Sequence, residues 1–306
     1  MNIIEFLQKE TDIDNLRKEA LNFTYFAINS INTLSAENVL YKLITENTDF
    51  GKEFPYFESP KISIIIPVKN NALLTKIVLN SIYKNTKNVD YEVIIADDNS
   101  TDETKDLNKT FKNISIVKNN TQISGFVYNV SNAIEHARGE YIFLMNNDMI
   151  TQENYLTELL NVIENHSDIG IAGAKNLKID GTILECGVYM NSQGLVTFLH
   201  QNSPENTVDD KDFIECDYCS GCSILFKKEV WNKAGGFDKN YAPAYYEDSD
   251  FAFNLKYNLG LKSVCVPKSK IYHFKGQTYE KNSSYDSSKN RNYFLNKWEN
   301  ILKNKN

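Results

Sequence analysis

Two uninterrupted apolar runs, about thirty residues apart, form the clearest pattern along this chain. They read ISIIIPV over residues 62–68 and VIIA over residues 93–96. Runs of this length predict strands that are buried on both faces, which is typical of parallel sheets. The intervening segment, residues 72–85, predicts a helix, so the spacing fits one strand-helix-strand crossover.

The alternation of strands and helices continues to about Asp148. The pattern predicts strands over residues 62–68, 91–96, 114–118 and 141–145 and helices over residues 72–85 and 126–137. In such folds, ligands bind at the carboxyl ends of the parallel strands. Two strand ends are followed by polar residues, namely Lys69 with Asn70 and Asp97 with Asp98. We therefore expect a ligand pocket at this edge of the sheet.

The second half of the chain is irregular and rich in short strands. Asp180-Gly181 predicts a hairpin turn between strands near residues 177–179 and 183–184. Further along, the pattern predicts one strand over residues 214–226, a helix over residues 248–258 and a strand near Val264. We expect this half to face the second substrate of any two-substrate reaction.

Both ends of the chain differ from its centre. Residues 1–55 carry apolar residues at loose helical intervals among both acidic and basic ones, which predicts a helical extension packed on the core rather than a basic membrane-surface helix. The core domain is predicted over residues 56–276, with its two halves divided near residue 150. Residues 277–306 form a polar tail, with a helix predicted near residues 289–303.

Composition excludes some classes of protein. The apolar content of 42% is enough for a substantial core. A net charge of -7 argues against a general nucleic-acid binder, which needs excess Lys and Arg. No secretory signal and no run of about 18 apolar residues is evident, so we expect a cytoplasmic protein.

The five cysteines, an odd number without a secretory signal, predict reduced thiols. Cys216, Cys219 and Cys222 have a spacing similar to part of a metal or iron-sulfur site. A fourth ligand is missing locally, so structural thiols are the favoured interpretation.

One candidate for cation chemistry follows the predicted strand Tyr141–Met145, which stops at Asn146, Asn147 and Asp148. A carboxylate and amides at a strand end suit a hard divalent cation that bridges phosphates. The alternative is a turn in which these side chains satisfy backbone groups.

A second candidate is the acidic cluster Glu247, Asp248 and Asp250 at the start of a predicted helix. Helix capping explains one acid, but neighbouring aromatic residues indicate a carboxylate against an apolar wall, where a raised pKa favours a general base. His273 follows at the end of a later predicted strand. A lone His is more often a core or surface residue, yet a neutral imidazole there could complete a metal shell.

Four motifs, in order over about residues 61–276, complete the picture. They are the Pro-Val-x-Asn turn at residues 67–70, Asp-Asp-x-Ser at residues 97–100, the segment ARGEYIFLMNND, and GGFD followed by YYEDSDF. Together they resemble the family 2 inverting glycosyltransferases of the GT-A fold, especially the rhamnosyl- and galactofuranosyltransferase-like branch. The resemblance implies an α/β domain with a Rossmann-like, mostly parallel central sheet flanked by helices.

The resemblance also implies an activity: a sugar moves from a UDP- or dTDP-sugar to a hydroxyl of a glycan, lipid-linked or protein acceptor. It assigns the catalytic base to Asp248, and it assigns a Mn²⁺ or Mg²⁺ ion to Asp148 and His273. The implied contacts to the nucleotide sugar are Pro67, Lys69, Asn70, Asp98, Gly125, Asn129, Asn132, Asn146, Asn147 and Glu247.

This sequence departs from the family pattern at two positions. Asn146 stands where many relatives have Asp, and Lys69 stands where an aromatic residue is common. Asn146 and the unassigned extension motivate an alternative, a catalytically silent GT-A domain that binds sugar nucleotides as a scaffold. A nucleotidyltransferase ranks third, because no Gly-rich loop follows the first strand. Association with the inner face of a membrane, and an oligomer or partner contact through residues 1–55, are left open.

Overall fold

A computed structural model describes residues 46–47, 49–121, 123–274 and 286–305. The strands are β1 (Ile62–Val68), β2 (Tyr91–Asp97), β3 (Ile114–Lys118), β4 (Tyr141–Met145), β5 (Met149–Thr151), β6 (Ile169–Leu177), β7 (Ile183–Glu185), β8 (Val188–Met190), β9 (Val196–Phe198), β10 (Ile214–Cys216), β11 (Ser223–Lys227) and β12 (Lys262–His273). The helices are α1 (Ala72–Asn85), α2 (Leu107–Thr110), α3 (Phe126–His136), α4 (Tyr155–Asn165), α5 (Lys228–Ala234), α6 (Glu247–Leu259), α7 (Ser288–Lys297) and α8 (Glu299–Lys303). Short 3₁₀ turns lie at Glu103–Asp106, Glu205–Val208 and Lys239–Tyr241.

A single large sheet has the strand order β10-β12-β6-β11-β4-β1-β2-β3, with β5 added to β12 and β7 added to β6. The neighbours β4, β1, β2 and β3 are parallel, as are β6 and β12. Strand β11 lies antiparallel between β4 and β6. Strands β8 and β9 form a separate hairpin. The predicted α/β fold with a helix-flanked, mostly parallel sheet is confirmed.

The apolar runs become central strands because both faces of the sheet are covered. In β1, Ile65 packs into one core cluster with Val130 of α3, while Ile64 packs into another with Val78 of α1. Successive side chains of a strand point to opposite faces, so a strand covered on both sides needs an apolar residue at nearly every position. All seven residues of β2 are buried.

The predicted hairpin is confirmed, since Leu177 of β6 pairs with Ile183 of β7 across the Asp180-Gly181 turn. The single strand predicted over residues 214–226 is wrong. Strand β10 pairs at the sheet edge with β12, whereas β11 lies between β4 and β6. The chain must pass across two strands between them, and residues 217–222 therefore form a loop.

The helical extension predicted over residues 1–55 lies outside the described residues up to residue 45. Its described end includes Phe54, which is buried against the edges of the Tyr83 and Tyr91 rings. Phe54 N donates to the carbonyl of Lys112, just before β3.

The C-terminal helices α7 and α8 pack on the domain. Phe294, Trp298 and Leu302 are buried in the same core cluster as Phe253 of α6. Residues 275–285, which precede them, are outside the described part of the chain. Within the described ranges, no helix is both long and apolar enough to cross a bilayer.

Candidate active site

A cavity opens at the carboxyl ends of β1, β2 and β4, the edge at which the sequence predicts ligand binding. It is lined by Pro67, Val68, Lys69, Asp98, Gly125, Phe126, Asn129, Asn146 and Asn147. Seven of these residues were predicted from the sequence as contacts to a nucleotide sugar. Phe126 belongs to the Gly125-Phe126 segment, which resembles the loop and helix start that border the nucleotide in the family, whereas Val68 was not predicted as a contact.

Asp98 lies in this cavity with 4% of its surface exposed. Its Oδ2 accepts hydrogen bonds from Ser124 Oγ and, at 3.0 Å, from Gly125 N, and it lies 3.3 Å from Lys69 Nζ. Its Oδ1 accepts from Asn119 Nδ2 at 2.7 Å. These donors hold the carboxylate in one orientation, and the half-exposed Lys69 balances its charge.

Sequence reasoning missed Asn119 and Ser124, the two side chains that donate to Asp98. A signal for Asn119 was present, because it directly follows the end of β3 and therefore lies at the same sheet edge. Ser124 lies in a loop, where a serine is an ordinary residue, and nothing in the local sequence distinguishes it.

Gly125 joins the cavity to the second half of the site. Its φ is 133°, and a Cβ built there would lie 2.5 Å from Pro243 Cβ, so only glycine fits. Val127 N donates to the carbonyl of Pro243 at 3.2 Å. Asn129 Nδ2 donates to the Ala96 carbonyl at 2.6 Å. The start of α3 is thus fastened both to β2 and to the loop that precedes α6.

Three predicted contacts, Asn70, Asn132 and Glu247, do not line the cavity. Asn70 N donates to Ser100 Oγ, and Asn70 Oδ1 accepts from Thr101 N, each at 2.8 Å. Asn70 therefore ties the loop after β1 to the loop after β2. Asn132 Nδ2 donates to the Lys118 carbonyl at 2.9 Å, at the end of β3.

Asp148 and His273, the predicted cation ligands, are brought together by the sheet. Antiparallel pairing of β5 with β12 places His273 opposite Met149. His273 Nε2 lies 3.2 Å from Asp148 Oδ1, and both side chains are at least nine-tenths buried. Asp148 Oδ1 receives no hydrogen bond of acceptable geometry from the described residues. A buried carboxylate oxygen without a donor, next to an imidazole nitrogen, fits a divalent cation.

Without a cation, a proton is favoured at this pair. Burial lowers the pKa of His273, but the Asp148 carboxylate and Cys222 outweigh it and raise the pKa well above its usual range. A bound cation would compete with this proton. Over the described ranges, no three His, Cys, Asp or Glu side chains are grouped to hold a metal ion. The pair supplies two possible ligands, so an ion held here would need further ligands, such as phosphate oxygens.

The five cysteines are all buried and free. Cys216 and Cys219 have their sulfur atoms 3.6 Å apart, and Cys186 and Cys265 approach to 2.9 Å. Cys222 lies apart from these, and its carbonyl accepts from Asn146 N at 3.0 Å.

Asp248, the predicted base, lies in the first turn of α6. Its Oδ2 accepts from Gly221 N at 2.9 Å, and its Oδ1 accepts from Ser249 N at 2.7 Å. Burial raises the pKa of the Asp248 carboxyl, although these hydrogen bonds act in the opposite direction. A carboxylate of raised pKa is a better proton acceptor than an ordinary aspartate.

Glu247 is more deeply buried than its neighbour. Only 6% of its surface is exposed, and its Oε2 has no hydrogen-bond partner among the described residues. Burial, and next the charge of Asp248, raise the pKa of Glu247 well above its usual range. The side chain does not line the cavity that contains Asp98, so its contact to a nucleotide sugar stays a prediction.

Glu185 of β7 was missed by sequence reasoning. Its Oε1 accepts from Ser220 N at 2.9 Å, and its Oε2 accepts from Ser220 Oγ. Burial raises the pKa of Glu185. Two carboxylates, the buried Glu185 and the partly buried Asp248, thus hold the consecutive residues Ser220 and Gly221. A single Glu in a short strand carries no sequence signal of this role.

Comparison with known proteins adds the family. The model of "Glycosyl transferase family 2" matches residues 63–234. The O-antigen biosynthesis protein RfbC of Myxococcus xanthus is 29% identical over 72% of this chain and 18% of its own length. The poly(ribitol-phosphate) beta-N-acetylglucosaminyltransferase TarP of Staphylococcus aureus is 25% identical over 76% of this chain and 69% of its own length. The chain therefore spans less than a fifth of the first relative.

Solved structures share the fold at low sequence identity. GalNAc-T7 with UDP, GalNAc and Mn²⁺ aligns with a TM-score of 0.58 and 14% identity over 71% of this chain and 44% of that one. Residues 1–349 of S. aureus TarS with UDP-GlcNAc align with a TM-score of 0.52 and 18% identity over 74% and 62%. The rhamnosyl- and galactofuranosyltransferase-like branch stays a prediction. Since the matched family model covers more than half of the chain, from the second residue of β1 to the end of α5, the chain belongs to glycosyl transferase family 2.

Proposed function

We propose that this chain transfers a sugar from a UDP- or dTDP-sugar to a hydroxyl of a glycan, lipid-linked or protein acceptor, with inversion at the anomeric carbon. One observation supports it above the others. The glycine at the start of α3, which lines the cavity containing Asp98, packs directly on Pro243 in the loop that precedes Asp248. The cavity that contains Asp98 and the partly buried candidate base Asp248 therefore lie on either side of one contact.

The donor end of the proposal rests on Asp98. A carboxylate that only accepts hydrogen bonds suits the imide N–H of uracil or thymine. Phe126 and the stem of Lys69 line the same cavity and offer apolar surface to the base. The solved neighbours with UDP or UDP-GlcNAc bound support the same nucleotide class.

Asp148 and His273 are the residues that would hold a divalent cation in this proposal. When bound, such a cation neutralises charge on the diphosphate leaving group. The neighbour solved with Mn²⁺ supports this ion type. Asn146 supplies an amide where a second carboxylate would add charge, which favours a weakly held ion.

The acceptor end of the proposal rests on Asp248. Its carboxylate takes the proton of the acceptor hydroxyl as that oxygen attacks the anomeric carbon. The bond from the anomeric carbon to the diphosphate oxygen breaks, and its electron pair leaves with the nucleoside diphosphate. Attack from the face opposite the leaving group inverts the configuration. General base catalysis of this kind contributes roughly 10²–10⁴-fold.

A catalytically silent sugar-nucleotide scaffold is the second candidate. The observation in its favour is that Asp148 and His273, among the described residues, are not joined by a third ligand of their kind. It differs from the first candidate in one outcome: the nucleotide binds, but no sugar is transferred.

Thermal unfolding with UDP, dTDP, GDP or CMP, each with and without Mn²⁺, tests the donor site. A nucleotide at 100 times its dissociation constant should stabilise the chain by about 2.7 kcal/mol. We expect this for UDP or dTDP, with a requirement for Mn²⁺. Transfer from UDP-N-acetylglucosamine, UDP-galactofuranose and dTDP-rhamnose to glycan and lipid-linked acceptors then tests the reaction. Stabilisation without any transfer favours the scaffold, and no response to any nucleotide contradicts both candidates.

A further inference from the structure

Two consecutive tyrosines have left-handed backbone conformations immediately before the catalytic candidates. Tyr245 has a φ of 77° and Tyr246 a φ of 73°, and α6 begins at the next residue, Glu247. Positive φ is strained for a bulky residue and persists only where surrounding contacts impose it. The direction in which α6 leaves this turn determines where the Asp248 carboxylate points.

One side chain from α7 contacts the backbone of this segment. Asn290 is 1% exposed, and its Nδ2 lies 2.7 Å from the carbonyl of Tyr241, 2.9 Å from that of Ala244 and 3.1 Å from that of Tyr245. An amide NH₂ group has two hydrogens, so the three carbonyls share them. The three acceptors also determine which end of the amide faces the turn.

The same C-terminal helices hold the first turn of α6. Lys297 Nζ and Trp298 Nε1 donate to the two carboxylate oxygens of Asp250, at 2.9 Å and 2.8 Å. Both residues, like Asn290, lie beyond the range that the family model matches. The segment before Asp248 and the first turn of α6 are therefore held by the C-terminal region, for which the sequence predicts a polar tail with a helix near residues 289–303.

We propose that Asn290 is a positioning residue for sugar transfer: its amide maintains the left-handed Tyr245–Tyr246 turn and thereby aims the Asp248 carboxylate. This inference rests on the function proposed above. Asn290 acts through three backbone carbonyls and does not touch the reacting atoms. A displacement of about 1 Å in a catalytic group can cost roughly 10²-fold in rate.

The Asn290→Ala variant tests this role. We expect kcat for transfer to fall about 10- to 100-fold, with an unchanged KM for the donor and unchanged stabilisation by UDP and Mn²⁺, because the donor cavity does not include this segment. The control is Tyr293→Phe on the same helix, which removes the hydroxyl bond to Asp238 at 3.0 Å and should leave kcat nearly unchanged. A kcat equal to that of the unaltered chain overturns the inference, and so does a parallel loss of nucleotide stabilisation, which indicates general unfolding.

Hydrogen exchange separates this inference from the proposed function. In Asn290→Ala, amides of residues 241–250 should exchange faster, while those of β1 and β2 keep their rates. If Asn290→Ala does not fold, Asn290→Gln, which shifts the amide by one methylene, takes its place in both measurements. Absence of transfer by the unaltered chain contradicts the proposed function alone. Unchanged exchange over residues 241–250 overturns the positioning role whether or not transfer is observed.

Discussion

The two halves of the site surround their carboxylates with different groups. Asp98 lies in the half of the site built on the parallel strands β1 to β4, here called the parallel half. Four donors surround it: two side-chain groups, a backbone N–H and an ammonium group. Glu247 and Asp248 lie in the other half, where the described residues give neither of them an ion pair, and burial raises the pKa of each. Environment rather than residue type thus distinguishes a carboxylate suited to binding from one suited to proton transfer.

The difference follows from where each residue lies in the fold. Asp98 follows a parallel strand, where loops from several strands converge and bring donors with them. Asp248 lies at a helix start, where free backbone N–H groups stabilise a carboxylate but no side-chain cation is required.

Replacing Asp248 with Asn should have the largest effect. The amide keeps the shape but cannot accept the acceptor's proton, so we expect transfer to fall by roughly 10²–10⁴-fold. Stabilisation by UDP and Mn²⁺ should stay unchanged, because Asp248 does not line the donor cavity. Steady-state kinetics and thermal unfolding measure the two quantities. Normal turnover by this variant would contradict the base assignment.

Replacing Asp98 with Ala should weaken nucleotide binding, which the Asp248 variant should leave unchanged. Loss of a charge-assisted hydrogen bond costs about 1.5–3 kcal/mol, so nucleotide affinity should fall at least about tenfold. Titration calorimetry with UDP and Mn²⁺ measures this. The matched control is Asp106→Asn, which removes an exposed carboxylate paired with Lys109 and should leave affinity unchanged. Equal affinities for all three proteins would show that Asp98 does not contact the nucleotide.

Replacing a cation ligand should weaken nucleotide binding in the parallel half and should leave the other half of the site nearly unaffected. We expect Asp148→Asn to weaken the Mn²⁺-dependent part of UDP stabilisation by about 1–3 kcal/mol, because a buried amide does not supply the ligand charge. Chelation should remove the same part from the unaltered chain. A variant that still responds fully to Mn²⁺ would place the ion elsewhere.

The raised carboxyl pKa values predict a pH dependence of stability. The folded chain binds the Glu247 proton more tightly than the unfolded chain, so this group's contribution decreases as pH rises above the ordinary glutamate pKa of 4.5. Glu247→Gln should therefore gain stability relative to the unaltered chain as pH increases, by about 1.4 kcal/mol for each unit of raised pKa. Urea unfolding at pH 5 and pH 8 measures the difference. A gain that is larger at pH 5 would contradict the burial argument.

Lys69 should have the smallest effect. Its ammonium group lies 3.3 Å from Asp98 Oδ2, but about half of the side chain is exposed. Pairs of this kind contribute about 0–1 kcal/mol, so Lys69→Met should change stability by less than about 1 kcal/mol. Thermal unfolding at low and high salt checks this. A large loss that high salt does not reduce would indicate that Lys69 has a structural role.

The parallel half could be derived from sequence because its signals are local. The bounds predicted for β1, α1, β3 and β4 agree with the structure, since the spacing of apolar residues in these segments indicates either a strand or a helix. The expectation that ligands bind at the carboxyl ends of parallel strands also predicts the positions of Asp98 and Asn147, which both line the cavity. The loop that splits the predicted strand over residues 214–226 was not predictable, because its cause is the separate positions of β10 and β11 in the sheet.

The fold class, the family resemblance and the chemical types of the candidate ligands and base can all be read from the amino-acid sequence. Contacts between distant groups depend on the folded arrangement: Asn119 meets Asp98, Glu185 meets Ser220, and Asn290 meets the turn before Asp248. The physical reason is the range of each cause. Apolar periodicity acts over neighbouring residues, whereas burial and hydrogen bonding of a side chain depend on elements that are distant along the chain.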